Sequence, residues 1–109
     1  MIEMIEILQN KNNTEKTEFV ARDGESVLGR IAGFLCGDTF VIDELECEDY
    51  FTDGLVRAIL NFMTLHGIDR AEFKVPGYEN TLRKLGFIDD GNRLESIADF
   101  FDKKCCGLH

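Results

Sequence analysis

The sequence predicts a single α/β domain built on a mixed sheet, with an antiparallel front and a helical crossover behind it. Three observations carry this. From Ile2 to Cys47, β-favouring segments alternate with polar or Gly-containing turns. From Leu55 the apolar residues switch to helical spacing. Beyond Gly67 a strand, a short helix and further short apolar segments follow.

Ile2 to Leu8, where apolar residues mix with Glu3 and Glu6, reads as the first strand, and Gln9 to Lys16 as a polar loop. Glu18 to Ala21 is the second strand. It turns through Arg22-Asp23-Gly24-Glu25, because Asp-Gly accepts the positive φ of a tight hairpin. Val27 to Cys36 returns as the third strand, and Gly37-Asp38 turns into the fourth, Thr39 to Cys47, rich in Thr39, Phe40, Val41 and Ile42. Leu55, Val56, Ile59, Leu60, Met63 and His66 then recur at helical spacing, with Thr52 or Asp53 as the cap and Gly67 past the end. Ala71 to Val75 is the fifth strand. Pro76 to Leu85 is a short helix with Tyr78, Leu82 and Leu85 on one face and Gly86 closing it. Phe87 to Asp89 reads as a sixth strand. Leu94 to Phe101 is a seventh strand or a last helix, and Leu94, Ile97, Ala98 and Phe101 fit the helix better.

The 109 residues suit one domain over 1–109, with 101–109 as a flexible tail. Twelve Lys and Arg against 21 Asp and Glu give a net charge of -9. That balance repels phosphate backbones and anionic bilayers, so neither nucleic acid nor a membrane is an expected partner. It attracts a cationic substrate such as an amine. The N-terminal residues lack a basic region and an unbroken apolar stretch, so no secretory signal is expected, and no segment approaches the roughly 20 apolar residues of a span. The cytoplasm is the expected location. There Cys36, Cys47, Cys105 and Cys106 are expected to be thiols. Cys105-Cys106-Gly107-Leu108-His109 holds soft-metal ligand types, but adjacent cysteines rarely both reach one ion, so no metal site is expected.

Three phrases in order carry a family resemblance. Val20-Ala21-Arg22-Asp23-Gly24-Glu25-Ser26-Val27-Leu28-Gly29 is a hairpin closed by a glycine. Ile42-Asp43-Glu44-Leu45-Glu46-Cys47 runs through Gly54-Leu55 into the long helix, and Leu82-Arg83-Lys84-Leu85-Gly86-Phe87 ends the short one. Together they resemble the core of the acetyl-CoA-dependent N-acyltransferase (GNAT) superfamily, shortened by loss of its two N-terminal helices. The resemblance implies an acyl-CoA, typically acetyl-CoA, as co-substrate and a small amine or peptide as acceptor. It implies that the fourth and fifth strands splay, so that strand backbone at Leu45 and Cys47 receives the pantetheine arm. It places a pyrophosphate loop at Thr52, Asp53, Gly54 and Leu55, where the N–H groups of a helix start meet the phosphates. Gly54 matches the family's first invariant glycine, while Phe51 and Val56 stand where the family has a basic or Gln residue and a second small one.

The family's tyrosine general acid falls at Leu82, and Tyr78, one turn earlier on the same face, is the substitute. The general base is sought on the fourth strand. By alternation Glu44 and Glu46 share one face there and Asp43 takes the other, and a base for an ammonium needs a pKa raised by burial. Cys47 either lines the thioester pocket or is a small buried apolar residue. The competing reading is a non-catalytic GNAT-like binding or regulatory module; a third is an unrelated α+β domain. Because the third and fourth strands are apolar on both sides and the two N-terminal helices are missing, a homodimer is expected.

Overall fold

Turn chemistry and apolar periodicity give nine elements in a computed structural model that describes the backbone of residues 5–106 and the side chains of 5–102. These are β1 (Ile5–Gln9), β2 (Thr17–Asp23), β3 (Ser26–Cys36), β4 (Thr39–Cys47), α1 (Asp49–Leu65), β5 (Arg70–Phe73), α2 (Glu79–Leu85), β6 (Arg93–Leu94) and α3 (Ile97–Cys106). The strands form one sheet in sequence order, antiparallel throughout except for the parallel β4–β5 pair that α1 connects. This is the mixed α+β sheet the sequence predicts. Gly24 (φ 62°) and Gly37 (φ 64°) make the two hairpin turns, where a side chain would be strained.

Alternation along the strands turns Phe19, Ala21, Ile31, Phe40, Ile42 and Leu45 to one side. On that side α1 lays down its buried stripe of Thr52, Leu55, Val56, Ile59, Leu60 and Met63. Leu55, Val56, Ile59 and Leu60 are wholly buried, each contributing about 1.5–3 kcal/mol on leaving water. α2 and α3 both touch α1, and Leu82, Phe87, Ile97 and Phe100 join the same apolar cluster. The helices therefore share one face of the sheet. Gly67 (φ 79°) follows the end of α1, and Gly86 (φ 87°) caps α2 in the left-handed conformation.

The other face is ionic. Arg30 bonds Glu18, Glu44 and Glu46 across three strands, and farther along Glu72 lies near Lys74 and Arg93. Ala32 and Val41, on the same face, are almost wholly buried. What reads in sequence as a two-sided apolar sheet is in part covered by the long side chains of its own charged residues.

Four sequence expectations are corrected. Phe87–Asp89 is not a strand; Phe87 N–H closes α2 onto Leu82 C=O at 3.0 Å, and the edge strand is Arg93–Leu94. Leu94–Phe101 is divided between that strand and α3. α3 continues through Cys106, so 101–106 are helical instead of a tail, and Gly107 to His109, with the side chains of Cys105 and Cys106, lie outside the described residues. Finally, α1 begins at Asp49, several residues before the expected cap, because Phe51 already belongs to its apolar stripe and nothing between Glu48 and Asp53 breaks a helix.

Candidate functional site

β4 carries a bulge. Ala32 pairs with Glu44 but Gly33 with Ile42, which leaves Asp43 as the extra residue on β4. The bulge restores the inward direction at Leu45 after Ile42, so both are buried. It also overturns strict alternation among the carboxylates, because Lys16 Nζ reaches Asp43 and Glu44 together. At the same level β4 and β5 part. Their parallel pairing ends at Ile42–Phe73, with Lys74 N–H donating to Ile42 C=O at 2.7 Å. Beyond it β4 runs on to Cys47 while the chain after β5 turns away through Pro76 and Gly77.

Tyr78 fills the far end of the cleft this leaves. Its hydroxyl accepts from Cys47 N–H at 3.3 Å and donates to Cys47 C=O at 3.3 Å. Both groups point away from β3, and strand alternation turns the N–H and C=O of Leu45 the same way. Of the residues expected at the acyl site, the structure brings the Tyr78 hydroxyl against the backbone of Cys47. The Cys47 thiol faces α1, 3.5 Å from Thr52 Oγ1. Burial pushes this thiol up, Thr52 opposes that by hydrogen bonding, and the Asp49 carboxylate adds to the rise. At neutral pH it stays a thiol and is a poor nucleophile.

The loop residues stand differently from expectation. Thr52, Asp53, Gly54 and Leu55 lie in the first and second turns of α1, where their N–H groups belong to the helical ladder. Thr52 and Leu55 are wholly buried. Asp53 pairs with Arg57 at 2.9 Å, and the Arg57 guanidinium lies over the rings of Phe87 and Phe100. Gly54 is a packing glycine, since a Cβ there would stand 2.7 Å from Ile7 Cδ1 on β1. The free donors of the helix belong to Glu48–Phe51, and Phe51 N–H is already taken by Glu48 C=O at 2.9 Å. Asp49 sits in that first turn and accepts from Thr81 Oγ1 at 3.3 Å, tying the helix start to α2.

The two expected bases sit on the ionic face. Glu44 accepts from Lys16 and from Arg30, and those hydrogen bonds, Lys16's first, hold its carboxyl below the ordinary carboxylate value. A base for an ammonium needs the opposite shift, so Glu44 does not fit that role. Glu46 shares Arg30 at 3.0 Å but is exposed. Sequence reasoning missed Lys16 and Arg30. Their signal is weak, lone cations within polar or strand segments, and only the strand register brings them to the carboxylates. No group of three or more metal-ligating side chains stands together among the described residues.

No protein-family model and no curated protein matches this sequence. Among solved structures the fold is similar to that of an IAA acetyltransferase from Bacillus cereus, with a TM-score of 0.62 over 76% of this chain and 76% of that one, at 13% identity. Identity so low speaks for the architecture alone. The six-stranded mixed sheet with three helices among the described residues has the same architecture as that acetyltransferase. No helix among the described residues is long and apolar enough to cross a membrane.

Proposed function

We propose that this chain is an acyl-CoA-dependent N-acyltransferase domain whose thioester site is the cleft between β4 and β5, and whose co-substrate is acetyl-CoA or a close relative. The observation that carries the reading is the Cys47 backbone pair, held open to the cleft beyond the last β4–β5 bond and met there by the hydroxyl of Tyr78. The arm of an acyl-CoA contains amides that pair with strand backbone as another strand would. The amine nitrogen attacks the thioester carbonyl carbon. Negative charge moves to the carbonyl oxygen, which Cys47 N–H stabilises. The carbon–sulfur bond then breaks, and the departing sulfur takes the Tyr78 hydroxyl proton, which solvent replaces. The amine's surplus proton passes to solvent water. The products are an amide and free CoA.

The phosphate end fits less well. Asp49 lies in the first turn of α1, and an acidic side chain there opposes a pyrophosphate. Weak binding follows, and the same feature favours the second reading, a GNAT-like module that has kept the cleft without catalysis. Calorimetric titration with acetyl-CoA and CoA, joined to thiol release in the presence of assorted amines, tests both. Saturable acetyl-CoA binding with amine-dependent thiol release supports acyl transfer. Binding without turnover supports the module, and no binding at millimolar ligand removes the cleft as an acyl-CoA site.

A further inference from the structure

The β4–β5 cleft is closed by a residue of the chain itself. A strand residue that turns its N–H and C=O to one side is ordinarily met by a neighbouring strand or by an amide of a ligand. At Cys47 both are met by one phenol, acting as acceptor and donor at once. The hydroxyl therefore occupies the backbone pair that an incoming acyl-CoA arm needs. We propose that Tyr78 is a displaceable plug: in the free protein it satisfies the Cys47 pair and shuts the cleft, and an acyl-CoA enters only by exchange, its thioester carbonyl taking Cys47 N–H and an amide N–H of its arm taking Cys47 C=O. This rests on the function proposed above.

Three features make the exchange feasible. Both hydrogen bonds are 3.3 Å long, past the usual limits of about 3.2 Å for N–H···O and 3.0 Å for O–H···O, so better-placed donors and acceptors can replace them. Only the phenol has to move. Tyr78 stands at the N-cap of α2 with its C=O taken by Leu82 N–H at 2.9 Å and its N–H donating to Val75 C=O at 3.1 Å, so rotation about its side-chain bonds carries the hydroxyl off Cys47 without unwinding the helix. The ring is only partly buried against the core cluster, which leaves it a route outward. Displaced from Cys47 N–H, the hydroxyl remains beside the cleft, where the thioester sulfur lies when its carbonyl oxygen takes over that N–H. The same movement that opens the site delivers the proton donor.

The plug predicts effects of opposite sign on binding and turnover. Tyr78→Phe removes both hydrogen bonds and keeps the ring, so it should accelerate amide exchange at Cys47 and tighten CoA binding roughly three- to tenfold, the worth of about one hydrogen bond. The rate of acyl transfer should fall. Tyr78→Leu, which keeps apolar bulk but withdraws the ring's reach, should also tighten binding and serves if the first variant folds poorly. Exchange is read by NMR on the whole 109-residue chain and binding by calorimetry with CoA. Unchanged exchange at Cys47, or faster exchange with CoA bound no more tightly than by the wild type, overturns the plug while leaving the cleft as the acyl-CoA site. Absence of CoA binding to every form at millimolar concentration overturns the site and the plug together.

Discussion

Arg30 holds the ionic face together. It donates to Glu18 at 2.8 Å, to Glu44 at 2.7 Å and to Glu46 at 3.0 Å, from the middle of three adjacent strands. Glu18 is buried, which pushes its carboxyl up, but hydrogen bonds from Arg30, Asn13 and Asn10 outweigh that and leave it below the ordinary 4.5. Glu44 is lowered as well, by Lys16 first and then Arg30. A carboxyl whose folded pKa lies below its unfolded value contributes stability that is complete above the unfolded value and disappears as pH falls through the folded one. The chain should therefore lose stability as pH drops below about 5, and chemical denaturation at a series of pH values reads this directly. Arg30→Ala leaves Glu18 buried without its main partner. It should cost on the order of 2–3 kcal/mol at neutral pH, less than a fully buried pair because Arg30 is partly exposed, and should flatten the acid loss. An unchanged acid limb in that variant would show that the network does not set it.

The elements meet most tightly where β3 and β4 pair around the bulge. A Cβ on Gly33 would lie 2.3 Å from the backbone oxygen of Val41 and 2.8 Å from the Phe40 ring, and backbone cannot step aside as a side-chain tip can. Gly33→Ala is expected to cost about 2–3 kcal/mol and to lower Tm by roughly 10 °C in calorimetry, with the bulge at Asp43 disturbed. At the other end of β4, charge at the start of α1 governs the phosphate end of the proposed site. Asp53 is already paired to Arg57 and lies beyond the first turn, so Asp53→Asn should change CoA affinity little. Asp49→Asn removes the first-turn charge and keeps an oxygen for Thr81, and should tighten CoA binding by about 0.3–1 kcal/mol. Titration of the two variants side by side decides the matter, and equal effects would place the phosphates elsewhere.

Among the described residues the three helices lie on one side of the sheet and none covers the other face. Its centre is ionic, but toward β1 it carries Leu8, 42% exposed, and Val27, 61% exposed, beside the free outer edge of β1. An apolar strip next to an open strand edge is a common place for two copies to meet. The expected assembly is a two-fold pair through this strip. Each copy carries -9, so association should strengthen as salt screens the repulsion. Sedimentation equilibrium at low and high salt measures this, with Val27→Glu as the variant that should hold the chain monomeric. A monomer at both salt concentrations would show that the ionic pairs suffice to cover the face.

Sequence alone determined the local events. Asp23-Gly24 and Gly37-Asp38 made hairpins, the spacing from Leu55 to Met63 made a long helix, and Gly67 and Gly86 ended helices, because each depends on the φ freedom or apolar period of a few neighbouring residues. Tyr78 and Cys47 were legible as candidates from their places in a resemblance. Tertiary structure decided what those places mean. The bulge at Asp43 exists only in the register between β3 and β4, and it alone joins Asp43 to Glu44 at Lys16. Gly54 looked like a phosphate-loop glycine, yet only the approach of Ile7 from β1 shows it to be a contact between elements. Glu44 looked like a base until two cations from other segments lowered its pKa. Each of these depends on partners distant in the chain, 31 residues apart for Cys47 and Tyr78, and no local pattern encodes a contact that folding itself creates.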